Sequence, residues 1–442
     1  MDFVPASKKE EKEMLKTIGI SSLNSLFKDV PKEFLLKKDL KIPKGLSELE
    51  LSKKVSSIAA KNKIYETSFR GAGAYRHFIP SVVHHLTMRS EFYTAYTPYQ
   101  AERSQGMLQS IYEFQTMICR LTGMDLANAS MYDGASALAE AALMATRISD
   151  RKEILLSETV HPDYQKTVGT YCHANSVKIN KLPSKNGIIE LKDLKKLVTD
   201  KTGGVLIQNP NFFGSFEKIK EIAKIVHDKG AILVVSVIEP TSLALLKAPG
   251  KLGADIVVGD GQSFGIPVSF GGPYVGFMAT KTKYIRRIPG RLVGMTEDTK
   301  GRRAFVLTLQ AREQHIRREK ATSNICTNSA LCALAVLIYL ATMGDKLKEV
   351  AKLSMSKAHY LAKNLNKVSE ISLFNKKPFY NEFIIKVKNS KSVLSKLKKN
   401  NIEGGVDLGK YYPKFKDHLL FCATEINTRE EMDKVIKILS RS

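Results

Sequence analysis

The chain has 442 residues, of which 43% are hydrophobic and 26% are charged. This composition excludes disordered, collagen-like and coiled-coil proteins, and the length predicts two or three domains. The 69 Lys and Arg against 44 Asp and Glu give a net charge of +25, which indicates either an acidic partner or a lysine-rich solvated surface. We expect no nucleic-acid partner, because the sequence has no RNP-like motif and no zinc-finger spacing.

The sequence shows no membrane, secretion or disulfide signal. Its longest apolar run, residues 330–341, has twelve residues, whereas a bilayer span needs about 20, so we predict a buried helix and no membrane contact. The N-terminus has no apolar signal core. The five cysteines form no CxxC pair, so neither a disulfide framework nor a metal site is predicted, and we expect a cytoplasmic protein. They are Cys119, Cys172, Cys326, Cys332 and Cys422.

Residues 1–62 are predicted to form an N-terminal helical arm that packs on something larger. Ser7 followed by Glu10 is typical of a capping box ahead of a helix, and Pro31 and Pro43 break the chain twice.

Residues 63–342 are predicted to form a large α/β domain. The apolar spacing of residues 104–122 predicts a helix that ends at Gly123, and a second helix follows Asp133. Helices alternate from there with short, β-branched, nearly all-apolar runs, as in strands buried on both faces of a parallel sheet. These strands are residues 154–156, 177–179, 205–207, 232–237 and 256–258, with a helix at 216–229 and a further strand at 274–279. Repeated βα units predict a doubly wound sheet.

Residues 343–442 are predicted to form a smaller α+β domain. A long helix around 329–342 precedes it. The domain itself reads as an amphipathic helix at 345–366, strands at 383–387 and 419–422, and a closing helix at 428–440.

Three features follow strands of the predicted sheet, where doubly wound proteins bind ligands. Gly134, Ala135 and Ser136 start a helix whose N-terminus can hold a phosphate, or they form a simple N-cap. Glu239 can pair with a protonated cofactor ring nitrogen, or it is an ordinary loop acid. A glycine-rich segment, residues 259–267, surrounds Gln262 and indicates close backbone approach.

Strings over most of the chain resemble the P-protein of the glycine cleavage system. They are YETSFRGAGAY at 65–75, HFIPSVV at 77–83, SEFYTAYTPYQ at 90–100, NASMYDGA at 128–135, GDGQS at 259–263, and REQHIRR with ATSNICT within 312–327. The resemblance implies a fold-type I pyridoxal phosphate (PLP) dependent transferase-like fold, with a mainly parallel sheet in the large domain and a smaller α+β C-terminal domain. In such enzymes a lysine, which forms the Schiff base with PLP, stands where this chain has Gln262.

The resemblance and the missing lysine together imply the non-PLP subunit of a split P-protein. The implied partners are a PLP-bearing subunit, in a heterodimer or α2β2 assembly, and lipoylated H-protein. The implied reaction is decarboxylation of glycine with transfer of the aminomethyl group to the lipoyl arm, and this chain alone is expected to be inactive and to bind no cofactor covalently. The alternatives are a self-sufficient PLP enzyme that uses another lysine, such as Lys281, and a catalytically dead nucleic-acid scaffold.

The resemblance also implies a vestigial cofactor pocket formed by Gly134, Ala135, Ser136, His161, Glu239 and Gln262. His161 stands where PLP enzymes often place a ring-stacking side chain, or it is a plain loop histidine. Glu239 stands where the family usually has Asp before Pro. Arg70 is unexpectedly large for the Gly-Ala-Gly string and has no interpretation from the sequence.

We also predict a candidate partner-site loop, because tyrosine suits interfaces. It comprises Tyr93, Tyr96, Tyr99 and Gln100, and packing in the core is the alternative. The arginine-rich run 286–318 is predicted to be a solvated and interdomain surface, with docking of acidic H-protein as the alternative.

Overall fold

A computed structural model describes residues 6–38, 40–323, 325, 328–375 and 377–440. Cys326, and Asn324 and Thr327 of the family strings, lie outside the described residues. The chain divides into two compact units, Met1–Ile64 and Tyr65–Ser442. The division of the larger unit at residue 342 stays a prediction.

The described residues form helices and strands along the whole chain. The helices are α1 Lys8–Ile18, α2 Glu48–Ala59, α3 Ser81–Thr87, α4 Ser90–Tyr93, α5 Gln105–Thr122, α6 Gly134–Ser149, α7 Pro162–Ala174, α8 Leu191–Leu197, α9 Ile219–His227, α10 Gln314–Arg317, α11 Ala330–Met343, α12 Leu347–Leu365, α13 Ser390–Lys399 and α14 Arg429–Ser440. The strands are β1 Thr67–Ser68, β2 Leu126–Ala127, β3 Glu153–Ser157, β4 Lys178–Leu182, β5 Ser184–Lys185, β6 Ile188–Ile189, β7 Thr202–Gln208, β8 Ile232–Val237, β9 Ile256–Asp260, β10 Gly276–Thr280, β11 Leu292–Glu297, β12 Arg303–Thr308, β13 Ser372–Leu373, β14 Glu382–Lys386, β15 Ile402–Glu403, β16 Val406–Asp407 and β17 His418–Cys422.

The smaller unit contains α1 and α2, and each begins with a capping box. The Ser7 hydroxyl accepts a hydrogen bond from the Glu10 N–H at 3.3 Å, and the Ser7 N–H donates to the Glu10 carboxylate at 2.7 Å. Ser47 and Glu50 repeat the arrangement at α2. The box predicted from Ser7 and Glu10 is therefore confirmed.

A seven-stranded sheet forms the centre of the larger unit, in the order β2-β10-β9-β8-β7-β3-β4. The five strands from β9 to β4 are parallel to one another. β10 runs antiparallel to β9, and β2 pairs antiparallel with β10, so only β10 opposes the common strand direction. The five predicted parallel strands are confirmed. The expectation of burial on both faces is wrong for β4, where Lys178 and Lys181 are exposed, because β4 is an edge strand.

Helices cover both faces of this sheet. Alternate residues of β8 point into two cores: Leu233 and Val235 pack in one with α5, α9 and α11, and Val234 packs in the other with α6 and α7. The apolar helix α11 is buried from Ala333 to Leu340, as predicted from its apolar run. Burying one Leu or Val side chain contributes about 1.5–3 kcal/mol to the stability of the fold. The many such side chains in the two cores hold the strands in place, and with them the strand ends that carry the site.

The C-terminal part of the larger unit adds a four-stranded antiparallel sheet, β13-β14-β17-β16. Its strands pack on α12, α13 and α14 through one apolar cluster. The hairpin β11–β12 was not predicted, because its side chains are mostly exposed or half-buried and lie inside the arginine-rich run.

The predicted helix at residues 216–229 is shorter in the structure, where α9 begins at Ile219 and ends at His227. The backbone of Glu217 donates to Asn209 at 2.9 Å, and its buried carboxylate accepts from Asn211 at 2.7 Å. These contacts hold the backbone ahead of Ile219 outside the helix.

Candidate functional site

Gln262 lies just beyond the carboxyl end of β9, and its side chain is tied to backbone groups. The Tyr75 N–H donates to Oε1 of Gln262 at 2.8 Å, and Nε2 of Gln262 donates to the carbonyls of Tyr75 at 2.9 Å and Ile266 at 2.7 Å. Gln262 is 2% exposed. The residue in the lysine position therefore joins the strand end to the segment around Tyr75.

The N-terminus of α6, the predicted phosphate site, is closed by carboxylates of the chain itself. Asp133 is the N-cap, accepting from the Ser136 N–H at 2.7 Å, and the Gly134 N–H donates to Oδ2 of Asp260 at 3.0 Å. Oδ1 of Asp260 accepts from the Gln262 N–H at 2.9 Å. Burial raises the pKa of Asp260 to about 7. Ala135, the remaining predicted residue, is half-buried on the first turn of α6.

His161 caps α7 and packs against aromatic rings. Its Nδ1 accepts from the Asp163 N–H at 3.2 Å, which leaves Nε2 to donate to the Ala72 carbonyl at 2.9 Å. The ring meets Phe212 edge-on with 4.9 Å between the centroids. Burial lowers the pKa of His161, so the ring is a neutral one that binds the chain's own backbone.

The segment Gly71 to Tyr75 fills the space between these residues. The Ala72 N–H donates to Oε1 of Glu382 at 2.6 Å, and the Tyr75 hydroxyl donates to Oε2 of the same carboxylate at 2.9 Å. Gly73 has φ +100°, and a Cβ there would lie 3.0 Å from Nε2 of His161. Burial raises the pKa of Glu382 to about 7.

Glu239 pairs with a ring nitrogen, and the ring belongs to His77. Nε2 of His77 lies 3.1 Å from Oε2 of Glu239, and Nδ1 lies 2.6 Å from Oε2 of Glu425. The His77 side chain is 1% exposed. Burial alone would lower the pKa of His77, but the two carboxylates outweigh it and raise the value to about 10.

Sequence reasoning missed His77 and the carboxylates of Glu382 and Glu425 as members of the site. His77 lies within the family string at residues 77–83, but a single histidine gives no signal of its partners. Glu425 is 348 residues away along the chain, so only the folded structure brings these side chains together.

The residues present do not fit PLP. The position of the imine-forming lysine holds an amide that is fully engaged with backbone groups. The Gly134 N–H at the helix N-terminus donates to Asp260, and Glu239 pairs with His77. The His161 ring donates to the carbonyl of Ala72. The lysine position, the Gly134 N–H and Glu239 are therefore each engaged by a group of this chain.

The candidate partner-site loop lies on the surface. Tyr93, Tyr96 and Tyr99 are 57%, 73% and 51% exposed, so the alternative of core packing is wrong for them, and Gln100 is also exposed. Pro98 is buried and anchors the loop. The loop therefore presents aromatic side chains from a fixed base.

A buried arginine, Arg291, supports this loop. Its Nη2 donates to the Tyr99 hydroxyl at 2.9 Å, and its Nε lies 3.4 Å from Oε2 of Glu313. Arg291 is 3% exposed and Arg312 is half-buried, whereas Arg302 is exposed. The arginine-rich run therefore combines interior and solvated positions.

The structure also places the two other basic residues that the sequence singled out. Lys281 pairs with Asp255 at 2.7 Å, directly before β9, whereas Gln262 follows the opposite end of that strand. Lys281 is therefore unable to take the lysine's place. Arg70 is mostly exposed and pairs with Glu403 at 3.2 Å, which accounts for its size in a glycine-rich string.

Comparison with known proteins identifies the family and the fold. The family model described as glycine cleavage system P-protein matches residues 1–439. The protein of Desulfitobacterium hafniense named "Probable glycine dehydrogenase (decarboxylating) subunit 1" is 53% identical, covering 99% of this chain and 98% of the relative. The corresponding protein of Carboxydothermus hydrogenoformans is 51% identical, with 99% of each chain covered.

Solved structures give the same result. A crystal structure of glycine decarboxylase (P-protein) of the glycine cleavage system, in inhibitor-bound form, is 43% identical with a TM-score of 0.92 over 100% of both chains. The sphingosine-1-phosphate lyase of Burkholderia pseudomallei is 14% identical with a TM-score of 0.67, covering 92% of this chain and 93% of its own. That likeness concerns the fold alone, and together these structures confirm the predicted fold-type I class.

Proposed function

Because the chain belongs to the glycine cleavage system P-protein family, we propose that it is the non-PLP subunit of a two-subunit glycine decarboxylase. Its relatives are named as subunit 1 of glycine dehydrogenase (decarboxylating), and that name implies a second subunit. The proposed second subunit carries PLP on its own lysine.

The proposed reaction is the decarboxylation of glycine with transfer of the aminomethyl group to the lipoyl arm of H-protein. PLP of the second subunit supplies the electron sink for loss of carbon dioxide. This chain supplies no amine to the cofactor, and we propose that it completes the active site from outside, as one member of a heterodimer or α2β2 assembly in the cytoplasm.

The observation that carries this proposal is that Gln262 stands in the lysine position with its amide hydrogen-bonded to backbone groups. A primary amine is required for the imine, and Gln262 has an amide whose nitrogen already donates to two carbonyls. The chain therefore needs a partner for the chemistry that its family performs.

The loop of Tyr93, Tyr96, Tyr99 and Gln100 is the proposed contribution to the partner's active site. Exposed tyrosines combine a large apolar surface with a hydroxyl, and they are enriched at interfaces. The buried pair of Arg291 and Glu313 holds Tyr99 at the base of the loop. The loop is therefore fixed in place before a partner arrives, which lowers the entropic cost of association.

The test is reconstitution from separate parts. Carbon dioxide exchange into glycine is measured for this chain, for the candidate PLP-bearing subunit, and for the two co-purified together, each with lipoylated H-protein. We expect exchange only in the co-purified sample, with a visible-edge absorbance band that borohydride traps on the second subunit. Exchange by this chain alone, or a trapped lysine on it, would overturn the proposal.

A further inference from the structure

We propose that the vestigial pocket is held shut by an internal substitute for the cofactor, formed by His77 and Asp260. In this arrangement the imidazole ring of His77 stands in for the cofactor ring at Glu239. The carboxylate of Asp260 stands in for the phosphate at the N-terminus of α6. The inference concerns this chain by itself and does not depend on the proposed reaction.

The argument for His77 starts from its two hydrogen bonds. Each ring nitrogen faces a carboxylate oxygen, at 3.1 Å for Glu239 and 2.6 Å for Glu425. A carboxylate only accepts, so both nitrogens must carry a proton and the ring must be an imidazolium. A charge this deeply buried persists only when it is paired, and the two glutamates supply the pairing.

Neutral donors complete the same cluster. Ser263 donates to Oε2 of Glu239 at 3.0 Å, and the Thr241 N–H donates to Oε1 at 3.1 Å. The Phe78 N–H donates to Oε1 of Glu425 at 2.7 Å. The Ser354 hydroxyl donates to Oε2 of Glu425 at 3.2 Å. Each carboxylate thus holds at least two hydrogen bonds besides the one to His77, which is what a buried charged cluster requires.

The argument for Asp260 rests on the two backbone N–H groups that its side chain accepts hydrogen bonds from. It accepts from the Gly134 N–H at 3.0 Å and from the Gln262 N–H at 2.9 Å. A helix N-terminus attracts an anion or another acceptor of its N–H groups, and here the acceptor is the carboxyl group of Asp260, a residue of the chain itself. A Cβ on Gly134 would meet the Tyr164 hydroxyl and Cβ of Asp260, so the strand end and the helix end are in close contact, and this N–H is already used by Asp260.

The substitute also links distant parts of the larger unit. His77 connects Glu239, which follows β8, with Glu425, which follows β17. A bound cofactor stabilises a fold by binding only its native state. We infer that the internal cluster makes this contribution permanently, and that the segment leading into α3 is fixed by the same contacts.

Chemical rescue tests the role of His77. His77→Ala in the full chain removes the imidazolium and leaves two facing carboxylates, so we expect a lower unfolding temperature. Added imidazole should restore most of the loss, because its protonated form fits between Glu239 and Glu425. The matched control is His359→Ala, since the His359 ring stacks on Phe379 and bonds its carbonyl at 2.9 Å. Failure of imidazole to restore His77→Ala, or equal restoration of both variants, would overturn the proposal.

Two measurements on the unaltered chain keep the proposal testable if His77→Ala does not fold. Nitrogen-15 spectra of labelled histidine at about pH 8, where an unperturbed histidine is neutral, should show His77 with both ring nitrogens protonated. Titration with PLP should leave the unfolding temperature unchanged. A neutral His77, or a saturable stabilisation by PLP, contradicts the internal substitute.

Discussion

Gln262 and Tyr75 are joined by a pair of hydrogen bonds in which the side-chain amide of Gln262 serves both the N–H and the carbonyl of Tyr75, at 2.8 Å and 2.9 Å. The amide thus binds the backbone of a separate segment as a neighbouring strand would. Because both groups are buried, each requires a partner. The residue that lacks the chemistry of a lysine has a structural role that a lysine is unable to perform.

Gln262→Lys is therefore expected to lower stability without creating a PLP enzyme. Lysine has no acceptor for the Tyr75 N–H, and one buried unsatisfied group costs about 1–3 kcal/mol. His77 and Asp260 still occupy the rest of the pocket. Denaturant unfolding measures the loss, and an absorbance scan with PLP followed by borohydride measures the imine. Gln262→Met, which keeps the shape but leaves all three backbone partners without a hydrogen bond, should lose at least as much stability. A trapped PLP on residue 262 would show that the pocket is open.

Glu239→Asp tests whether the extra methylene of Glu239 is needed. The carboxylate now reaches both His77 and the Thr241 N–H, and a side chain one carbon shorter loses one of them. We expect the free energy of unfolding to fall by about 1–3 kcal/mol. The control is Glu349→Asp, at an exposed pair with Lys346, where a change within about 0.5 kcal/mol is expected. Equal losses at both positions would mean that the length of Glu239 has no special role.

The sequence predicted the sheet well because burial on two faces leaves a strong local signal. The run at residues 232–237 coincides with β8, and the helix of residues 104–122 differs from α5 by one residue. The same signal fails where exposure is mixed, as in β4 and the hairpin β11–β12. Local apolar periodicity reports burial, so elements that are only half-buried escape it.

The sequence predicted where the site lies, but not which side chains from remote segments fill it. Gly134, Glu239 and Gln262 were found because each follows a strand or starts a helix of the predicted sheet, and His161 was found through the family resemblance. Their partners are contributed by remote segments, as Glu382 is to Ala72 across 310 residues. Sequence order carries no information on such pairs, so the filling of the pocket became visible only in the fold.

Glu382→Gln is expected to change how stability depends on pH. The pKa of Glu382 is raised from 4.5 to about 7 by burial. A raised pKa means that its contribution is fully present below pH 4.5 and is lost as the pH rises through about 7. The difference in unfolding free energy between variant and wild type should therefore move in favour of Glu382→Gln between about pH 5 and about pH 8, by at most about 3 kcal/mol.

Glu91→Gln is the control for this titration. The Glu91 side chain is exposed, and the pKa of Glu91 is lowered to about 2, first by its hydrogen bond with Arg89. The folded and unfolded values both lie below pH 5, so its contribution is constant over the window. Parallel pH profiles for Glu382→Gln and wild type would contradict the assignment of a raised pKa to Glu382.

Tyr96→Phe and Tyr99→Phe separate a role in the partner's active site from a role in stability. Tyr99 loses the hydroxyl that accepts from Arg291, so its replacement should cost about 1.5–3 kcal/mol of stability, the range for a hydrogen bond to a charged group. Tyr96 is 73% exposed, and its replacement should change stability by less than about 0.5 kcal/mol. If the loop reaches the partner's active site, both variants lower carbon dioxide exchange into glycine in the reconstituted complex, although only one is destabilised.

The control is Tyr360→Phe on α12, where the Tyr360 hydroxyl donates to Asp433. This variant should leave exchange unchanged. Unchanged exchange in both loop variants would exclude a contribution of these hydroxyls to the partner's active site.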